Sequence, residues 1–227
     1  MTVTRRLLWC FVTVVSTAVF CGLSVTAFAW GRGWDWAAYF QAPARTGVVV
    51  VSLVLAVVAL FTDSGGMNPG KKEDRRNRWV FAPIGVLSFG LALLPPYLDG
   101  RDLWTAGEVV TPYVGLALLA AGGALRLAPV FVLGRRFTGL VAIQEGHRLE
   151  TGGLYRVVRH PSYAGLLLFM AGYVLAFRCR LGLLLVAAML AVLVGRMNAE
   201  ERLLESEFGE EYAAYRRHTW RLVPWVY

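Results

Sequence analysis

Residues 109–133 read VVTPYVGLALLAAGGALRLAPVFVL, an apolar run in which Arg126 is the only charged residue. About 20 consecutive apolar residues in a helix cross the hydrocarbon core of a bilayer, so this run is long enough to span one. In hydrocarbon, backbone N–H and C=O groups find partners only inside their own segment, which makes a helix the expected form. The run therefore predicts a transmembrane helix that carries one cation.

Five more apolar runs accompany this one, at residues 7–30, 46–61, 79–98, 162–177 and 181–195. Hydrophobic residues make up 57% of the 227 residues and charged residues only 17%, whereas about a quarter of a typical soluble domain is charged. Only Arg178, Cys179 and Arg180 separate the last two runs, so we expect those runs to form an antiparallel hairpin. The predicted fold is all-α: a polytopic membrane protein of about six transmembrane helices, in a single domain over residues 1–227.

The basic residues predict the orientation of these helices. The net charge is +8, and the Lys and Arg residues lie mainly between the apolar runs. With a cytoplasmic N-terminus and six crossings, 17 of the 23 fall inside the cell and five outside, with Arg126 within a run. Because cytoplasmic loops carry an excess of Lys and Arg, both termini are predicted to be cytoplasmic. The expected partner of this charge is the bilayer surface; no aromatic-interleaved basic groove suggests nucleic acid.

An alternative reading concerns the N-terminus. Arg5 and Arg6, the apolar run that follows, and the Ala-Phe-Ala of residues 27–29 resemble a secretory signal peptide with its cleavage site. The apolar stretch of residues 7–30 is longer than the usual h-region of about 7–15 residues. Cleavage would leave five spans, and we expect the segment to be retained.

The cysteines carry no sign of a metal or disulfide site. Cys10, Cys21 and Cys179 are an odd number, and none belongs to a Cys-x-x-Cys pair or to a spacing with histidine typical of metal ligands. We interpret all three as packing residues, and we predict no metal.

The chain changes character after the last apolar run. Residues 198–218 carry six glutamates mixed with apolar residues at steps of three and four, which predicts an amphipathic helix on the cytoplasmic surface. Residues 134–161 are also polar and contain glycine. We expect the chemistry of the protein to lie between these two segments and the membrane.

Arg126 is the first candidate for that chemistry. An arginine inside a membrane span costs at least a few kcal/mol and usually faces a cavity or a partner. It precedes the polar boundary at Gly134 by about eight residues, or roughly 10–12 Å of helix. A guanidinium holds a carboxylate through two hydrogen bonds, so Arg126 is a candidate carboxylate-binding group. The alternatives are snorkelling to the interface and a structural ion pair.

Two polar clusters follow. Pro161 predicts a helix N-terminus preceded by His160, where free backbone N–H groups face an anionic group; the alternative is an interfacial belt of aromatic residues. Glu200 and Glu201 lie just beyond the last apolar run, and Arg196 lies on the same helical face as Glu200. The glutamates are candidate acceptors for ribose hydroxyls or for the sulfonium side of a cofactor; the alternative is an ordinary solvated helix.

The order and spacing of these residues resemble the isoprenylcysteine carboxyl methyltransferases. The resemblance covers roughly residues 115–227, and the individual pieces are Thr151-x-Gly153-x-Tyr155, Arg159-His160-Pro161-Ser162-Tyr163-x-Gly165, Glu200-Glu201, Phe208-Gly209-Glu210-Glu211-Tyr212-x-x-Tyr215 and Arg221-x-x-Pro224. Residues 106–227 are therefore expected to form a methyltransferase-like core. Residues 1–105 form N-terminal spans without a signature. One departure is Glu150, where an apolar residue is common in the family.

The resemblance implies a cofactor, an acceptor and a set of roles. The cofactor is S-adenosylmethionine, and the acceptor is a lipophilic molecule, foremost the carboxylate of a prenylated cysteine. Arg126 and Glu200 are implied as catalytic residues, and Arg126 with Arg196 as substrate-binding residues. The implied cofactor-binding residues are His147, Leu149, Tyr155, His160, Pro161, Tyr163, Glu200 and Glu201. A carboxylate acceptor fits because its pKa is near 4, so it needs no general base at neutral pH.

Three alternatives stay open. A phospholipid N-methyltransferase or a small-thiol S-methyltransferase would need a base, for which His147, His160 or a glutamate is available. A sterol-reductase-like membrane enzyme would share an Arg-His-x-x-Tyr segment and use NADPH. A non-enzymatic scaffold or a transporter is the third alternative, although the chain has no paired intramembrane carboxylates of the kind common in proton-coupled transporters.

Overall fold

Long apolar helices dominate the computed structural model, which describes residues 3–62, 70–105, 109–143, 146 and 148–227. Within these ranges the α-helices are α1 Val3–Gly31, α2 Ala37–Phe40, α3 Pro43–Leu60, α4 Phe81–Gly100, α5 Thr111–Leu133, α6 Pro161–Ala176, α7 Gly182–Phe208 and α8 Glu210–Arg217. The strands are β1 Lys72–Glu73 and β2 Ala142–Ile143, and 3₁₀ turns cover Arg75–Val80, Gly134–Arg136 and Gly153–Arg156. The predicted all-α membrane class is confirmed.

Each of the six predicted apolar runs forms a helix. Within the described residues, five helices are long and apolar enough to cross a membrane: α1, α3, α4 with its preceding 3₁₀ turn, α5 and α7. α6 is also apolar but has only 16 residues. Proline lies in the first turn of α3, α5 and α6, where its missing N–H leaves no helical hydrogen bond unmade and its fixed φ favours a helix start.

The C-terminal helices differ from the prediction. We expected the last span to end near residue 195 and a separate amphipathic helix to cover residues 198–218, but α7 continues without a break to Phe208. Nothing in the intervening sequence stops a helix. Gly209 does, because its φ of +52° lies in a region that favours glycine, and α8 follows it at once.

Two buried clusters hold the helices together, and α6 belongs to both. One cluster packs α4, α6 and α7 around residues such as Leu91, Val174 and Leu193. The other packs α1, α2, α3, α5 and α6 around Tyr39 and Tyr173. The Tyr173 hydroxyl also donates a hydrogen bond of 2.9 Å to Ser24 Oγ in α1. The N-terminal helices are therefore packed directly on the helices that carry the signature residues.

A buried carboxylate, that of Asp99, links several helices at one end of the bundle. Asp99, at the end of α4, is 4% exposed and accepts from Arg45 Nη1 of α3 at 2.9 Å and from Arg178 Nη2 of the α6–α7 turn at 2.8 Å. The same Arg45 guanidinium lies 4.2 Å above the ring of Phe28 in α1. This contact set joins four segments of the chain: α1, α3, the end of α4 and the α6–α7 turn.

The polar segments of the chain lie together at the opposite end of the helix bundle. β1 pairs antiparallel with β2, with Lys72 opposite Ile143. The C-terminal segment runs beside the chain before α6, where Trp220 N donates to Val157 O at 2.9 Å and Arg159 N donates to Trp220 O at 2.8 Å. The segment between α5 and α6 is thus held between the α3–α4 connection and the C-terminus.

Candidate functional site

The contact between α5 and α6 positions Arg126. These antiparallel helices touch backbone to backbone, because a Cβ on Gly122 would run into the backbone at Phe169, and one on Gly165 would run into that of Arg126. This close approach puts Arg126 beside the first turn of α6. Its Nη1 donates to Ser162 Oγ, and Ser162 Oγ donates to the Arg126 carbonyl at 3.2 Å.

No carboxylate of the described residues forms an ion pair with Arg126. Among the described residues its guanidinium has one hydrogen-bond partner, the Ser162 hydroxyl, and no Asp or Glu within ion-pair distance. The ring of Phe137 lies 6.0 Å from the guanidinium carbon. A cation held inside an apolar helix without a counter-ion is costly, so this geometry is suited to an anionic ligand.

Arg196, by contrast, is bound to protein groups. Its Nε donates to Tyr163 Oη at 2.6 Å and lies 3.4 Å from Glu200 Oε1, and its Nη2 donates to the carbonyl of Gly139 at 2.6 Å. Tyr163 Oη in turn donates to Glu200 Oε1. Arg196 therefore holds α7, α6 and the segment before β2 together, and its charge is offset by Glu200.

His160 connects the two glutamates. Its Nε2 lies 3.0 Å from Glu201 Oε1, its Nδ1 lies 3.5 Å from Glu200 Oε2, and its ring stacks on Tyr163 with centroids 5.6 Å apart. Burial of the imidazole lowers the pKa of His160, but the hydrogen bonds and charges of Glu200 and Glu201 raise it by more, so the pKa lies above its ordinary value. The geometry favours an imidazolium that donates from both nitrogens.

Glu201 ties this centre to the C-terminal segment. Besides His160, its Oε1 accepts from Arg159 Nε at 3.1 Å and from Arg221 Nε at 3.2 Å. Arg221 also donates to Asn198 Oδ1. Glu201 is not among the residues that line the neighbouring cavity, so its contacts are those of a group that fixes the positions of His160 and Arg159.

A cavity of about 330 Å³ opens among these residues, within the usual range of ligand sites. The predicted site residues that line it are Arg126, Leu149, Tyr155, His160, Pro161, Tyr163, Arg196 and Glu200. His147, predicted to bind the cofactor, lies outside the described residues. The structure therefore brings the intramembrane arginine, the segment before α6 and Glu200 to one cavity, while the roles of these residues remain predictions.

Several cavity residues were not anticipated from sequence. Phe81 and Ile84 come from α4, in the part of the chain without a signature, and Val141 and Ile143 come from the segment around β2. Hydrophobic residues at such positions look like any other membrane or strand residue, so no local signal marks them. Tyr212 and Tyr215, which belong to the motif of residues 208–215, are also among the lining residues.

Glu150, where an apolar residue is common in the family, also lies at the rim of this cavity. Its Oε2 lies 3.5 Å from Arg136 Nη2, and its Oε1 accepts from the backbone N–H of Gly152 at 3.2 Å. Both side chains of the ion pair are about 30% exposed. The pair bridges the end of α5 and the segment before α6.

Comparison with known proteins agrees with this arrangement. A sequence model of the isoprenylcysteine carboxyl methyltransferase (ICMT) family matches residues 114–206. A probable protein-S-isoprenylcysteine O-methyltransferase of Oryza sativa subsp. japonica is 32% identical over 138 residues, which are 60% of this chain and 69% of the relative. The chain belongs to the isoprenylcysteine carboxyl methyltransferase family. The family match contains Arg126, His160, Arg196 and Glu200, and ends before α8.

Other members of the isoprenylcysteine carboxyl methyltransferase family match over a smaller share of their length. Protein-S-isoprenylcysteine O-methyltransferase B of Arabidopsis thaliana is 34% identical over 119 residues, 49% of this chain and 58% of the relative. The Homo sapiens protein-S-isoprenylcysteine O-methyltransferase is 30% identical over 148 residues, 62% of this chain and 52% of the relative. The chain thus matches little more than half the length of these two relatives.

Proposed function

We propose that this chain is an integral membrane methyltransferase that transfers a methyl group from S-adenosylmethionine to the carboxylate of a prenylated cysteine. The observation that carries the proposal is Arg126, a cation inside a membrane helix that faces the cavity and has no ion pair with any carboxylate of the described residues. An acceptor carboxylate supplies the missing counter-charge. Family membership supports the same reaction, since the matched relatives are named isoprenylcysteine methyltransferases.

The residues around the cavity fit the cofactor. Glu200 offers a carboxylate to a cationic sulfonium or ammonium group, and His160, Tyr163 and Arg196 fix its position. S-adenosylmethionine, when bound, supplies a methyl group on a positively charged sulfur. Transfer of that methyl group from sulfur to an acceptor carboxylate would cancel the positive charge of the one and the negative charge of the other. Arg126 holds the acceptor in line, and the apolar walls exclude water, which favours this charge loss.

The titratable side chains that line the cavity favour an acceptor that is already deprotonated. Despite burial, the hydrogen bonds and charges of Glu200 and Glu201 hold the pKa of His160 above its ordinary value, which favours the protonated imidazole. Burial raises the pKa of Tyr155 above its ordinary value and that of Tyr215 to about 12. An amine or thiol must lose a proton before or during methyl transfer, whereas an acceptor carboxylate needs no base and requires only to be bound and oriented.

A transfer assay with radiolabelled methyl donor tests the acceptor directly. The purified chain is offered a farnesylcysteine analogue, an ethanolamine lipid and a small thiol in parallel. We expect label only in the farnesylcysteine product, as a base-labile ester. Label in the lipid or the thiol instead would assign the chain to a different acceptor.

The cofactor is tested separately by ligand binding. We expect S-adenosylhomocysteine to raise the melting temperature of the detergent-solubilised chain and NADPH to leave it unchanged. Stabilisation by NADPH alone would favour the reductase-like alternative. The two assays together distinguish a wrong acceptor from a wrong cofactor.

The same proposal includes an orientation in the membrane. The polar end of the bundle, with β1, β2, α8 and the cavity mouth, faces the cytoplasm together with both termini. A water-soluble cofactor then enters from the cytoplasm and a lipid acceptor from the bilayer. The excess of Lys and Arg in the segments at this end supports the orientation.

A further inference from the structure

Residues 220–227 of the C-terminal segment expose large apolar side chains. Trp225 and Val226 are 83% and 77% exposed, and Val223 is half exposed. Folded surfaces in water rarely carry several large apolar side chains side by side, and where they do, the patch usually meets a partner or a membrane. The residues that the structure describes leave this patch uncovered.

A closed turn holds these side chains at its tip. The backbone N–H groups of Leu222 and Val223 donate to the main-chain oxygen of Tyr227 at 2.7 and 3.0 Å, and Tyr227 N donates to Val223 O at 3.0 Å. Trp225, at the tip, has a φ of +62°, a conformation that costs a bulky residue free energy. The turn thus displays the tryptophan outward instead of burying it.

This turn is fixed to the apolar part of the helix bundle. Leu222 is 5% exposed and belongs to the buried cluster that packs α4, α6 and α7. Trp220 N donates to Val157 O at 2.9 Å, and His160 N donates to Arg221 O at 3.1 Å. The turn therefore starts directly beside the residues that lead into α6.

The start of α6 sets the depth of the turn. α6 is apolar and has 16 residues, which is about 24 Å of helix, whereas the hydrocarbon core of a bilayer is about 30 Å thick. An apolar helix shorter than this core, packed among longer spans, begins no farther out than the headgroups, so Pro161 marks the membrane boundary. Because the C-terminal segment pairs with the residues just before Pro161, it lies at this boundary too.

The surface around the turn has the composition of such a boundary. Leu154 and Val157, in the segment before α6, are exposed, as are the cations Arg156 and Arg217. Residues 212–227 contain no Asp or Glu. Tryptophan is enriched at the level of the headgroups, and basic residues are attracted to anionic lipids. A lipid surface therefore suits both the apolar and the basic side chains, whereas water suits only the basic ones.

We propose that residues 220–227 form an interfacial membrane anchor, in which Trp225 and Val226 insert among the lipid headgroups at the end of the bundle that carries the cavity. The same residues include Arg221, whose Nε donates to Glu201 Oε1 at 3.2 Å. Insertion of the turn thus also fixes Arg221 relative to the cavity. The anchor is independent of the reaction proposed above.

Fluorescence quenching in lipid vesicles tests the anchor. Val226→Cys, which keeps Trp225, is labelled with bimane and reconstituted in vesicles of phosphatidylcholine and phosphatidylglycerol. Val86→Cys, at an exposed residue of the apolar helix α4, is the lipid-facing control, and Ser206→Cys, at an exposed residue near the polar end of α7, is the water-facing control. The labelled native chain supplies the background from its three cysteines.

Brominated phosphatidylcholine should quench the label at residue 226 several-fold more than the label at residue 206, and iodide in the water should quench them in the reverse order. Equal quenching of the two labels by brominated lipid would overturn the anchor and leave the patch to a protein partner. Should Val226→Cys not fold, native tryptophan fluorescence replaces the label. Brominated lipid should then remove a larger fraction of the emission from the wild type than from Trp225→Phe; equal fractions contradict the proposal.

Discussion

At the scale of single residues, Arg126 and Arg196 have opposite surroundings although both face the cavity. The Arg196 guanidinium is engaged by Tyr163, Glu200 and the Gly139 carbonyl, whereas that of Arg126 has a single hydrogen-bond partner among the described residues, the Ser162 hydroxyl. A cation whose donors are already occupied has little left for a ligand. Arg126 is therefore the better candidate for holding an acceptor carboxylate, and Arg196 for holding Glu200 in place.

The first prediction follows from that difference. Arg126→Gln should lower the rate of methyl transfer to a farnesylcysteine analogue by about 100-fold, as expected when one charged hydrogen-bond donor to a reacting group is lost. Binding of S-adenosylhomocysteine, measured by titration, should change little, because Arg126 is proposed to hold the acceptor and not the cofactor. Arg202→Gln, at an exposed residue of α7, serves as the control. A variant at Arg126 with the wild-type rate would remove the arginine from the mechanism.

A second prediction concerns His160 and pH. Burial lowers the pKa of this imidazole, but Glu200 and Glu201 raise it by more. Arg159 also donates a hydrogen bond to Glu201. A raised pKa means that the proton stabilises the folded state; this stabilisation is fully present below the unfolded pKa of about 6.5 and is lost as pH rises through the higher folded pKa.

The melting temperature of the wild type should therefore fall as the pH rises above about 6.5, the ordinary pKa of histidine. His160→Gln should lower the melting temperature at the acidic end and flatten this dependence, whereas the exposed His218→Gln should preserve it. If the melting temperature of His160→Gln depends on pH as strongly as that of the wild type, a group other than His160 causes the pH dependence.

At the scale of secondary-structure elements, the seam between α5 and α6 sets the depth and direction of Arg126. Gly165→Ala would place a methyl group against the backbone of Arg126, and the helices could admit it only by moving apart. We expect a loss of about 1–3 kcal/mol of stability, as for other overpacked sites, together with reduced turnover.

Gly85→Ala in α4 is the matched control, because nothing lies within 4 Å of the added methyl group. Alanine there should leave turnover unchanged and stabilise the helix by roughly 0.5–1 kcal/mol, since glycine loses more conformational entropy on folding. Differential melting curves and initial rates give both quantities. If the two alanine variants have the same melting temperature and the same initial rate, the α5–α6 contact tolerates separation of the helices.

The elements also show what the sequence could predict. The end of α5 at Leu133 and the start of α6 at Pro161 agree with the predictions to within one residue. The length of the apolar run and the proline decide these two boundaries locally. The boundary near residue 195 was missed, since the helix passes smoothly from apolar to charged residues. Phe81 and Val141 could not be assigned to the cavity, because only the packing of distant segments brings them there.

At the scale of the whole molecule, the bundle has two unlike ends. One is fastened by Asp99 with Arg45 and Arg178, and the other carries the cavity, the paired strands and the C-terminal segment. The predicted cytoplasmic segments, far apart in sequence, meet at the second end. A molecule built this way presents one polar surface to each side of the membrane, and its orientation decides which compartment supplies the cofactor.

That orientation is the last prediction. Ser206, exposed beside Lys72 at the cavity end, and Arg101, exposed at the Asp99 end, are positions for single added cysteines. A membrane-impermeant maleimide added to intact cells should label Arg101→Cys at once and Ser206→Cys only after permeabilisation, with the native chain as the background for its three cysteines. The expected asymmetry follows from the 17 to five division of basic residues, since positive loops are retained in the cytoplasm. The reverse pattern would put the cavity mouth outside the cell, away from the cytoplasmic supply of S-adenosylmethionine, and the proposed reaction would then lose its methyl donor.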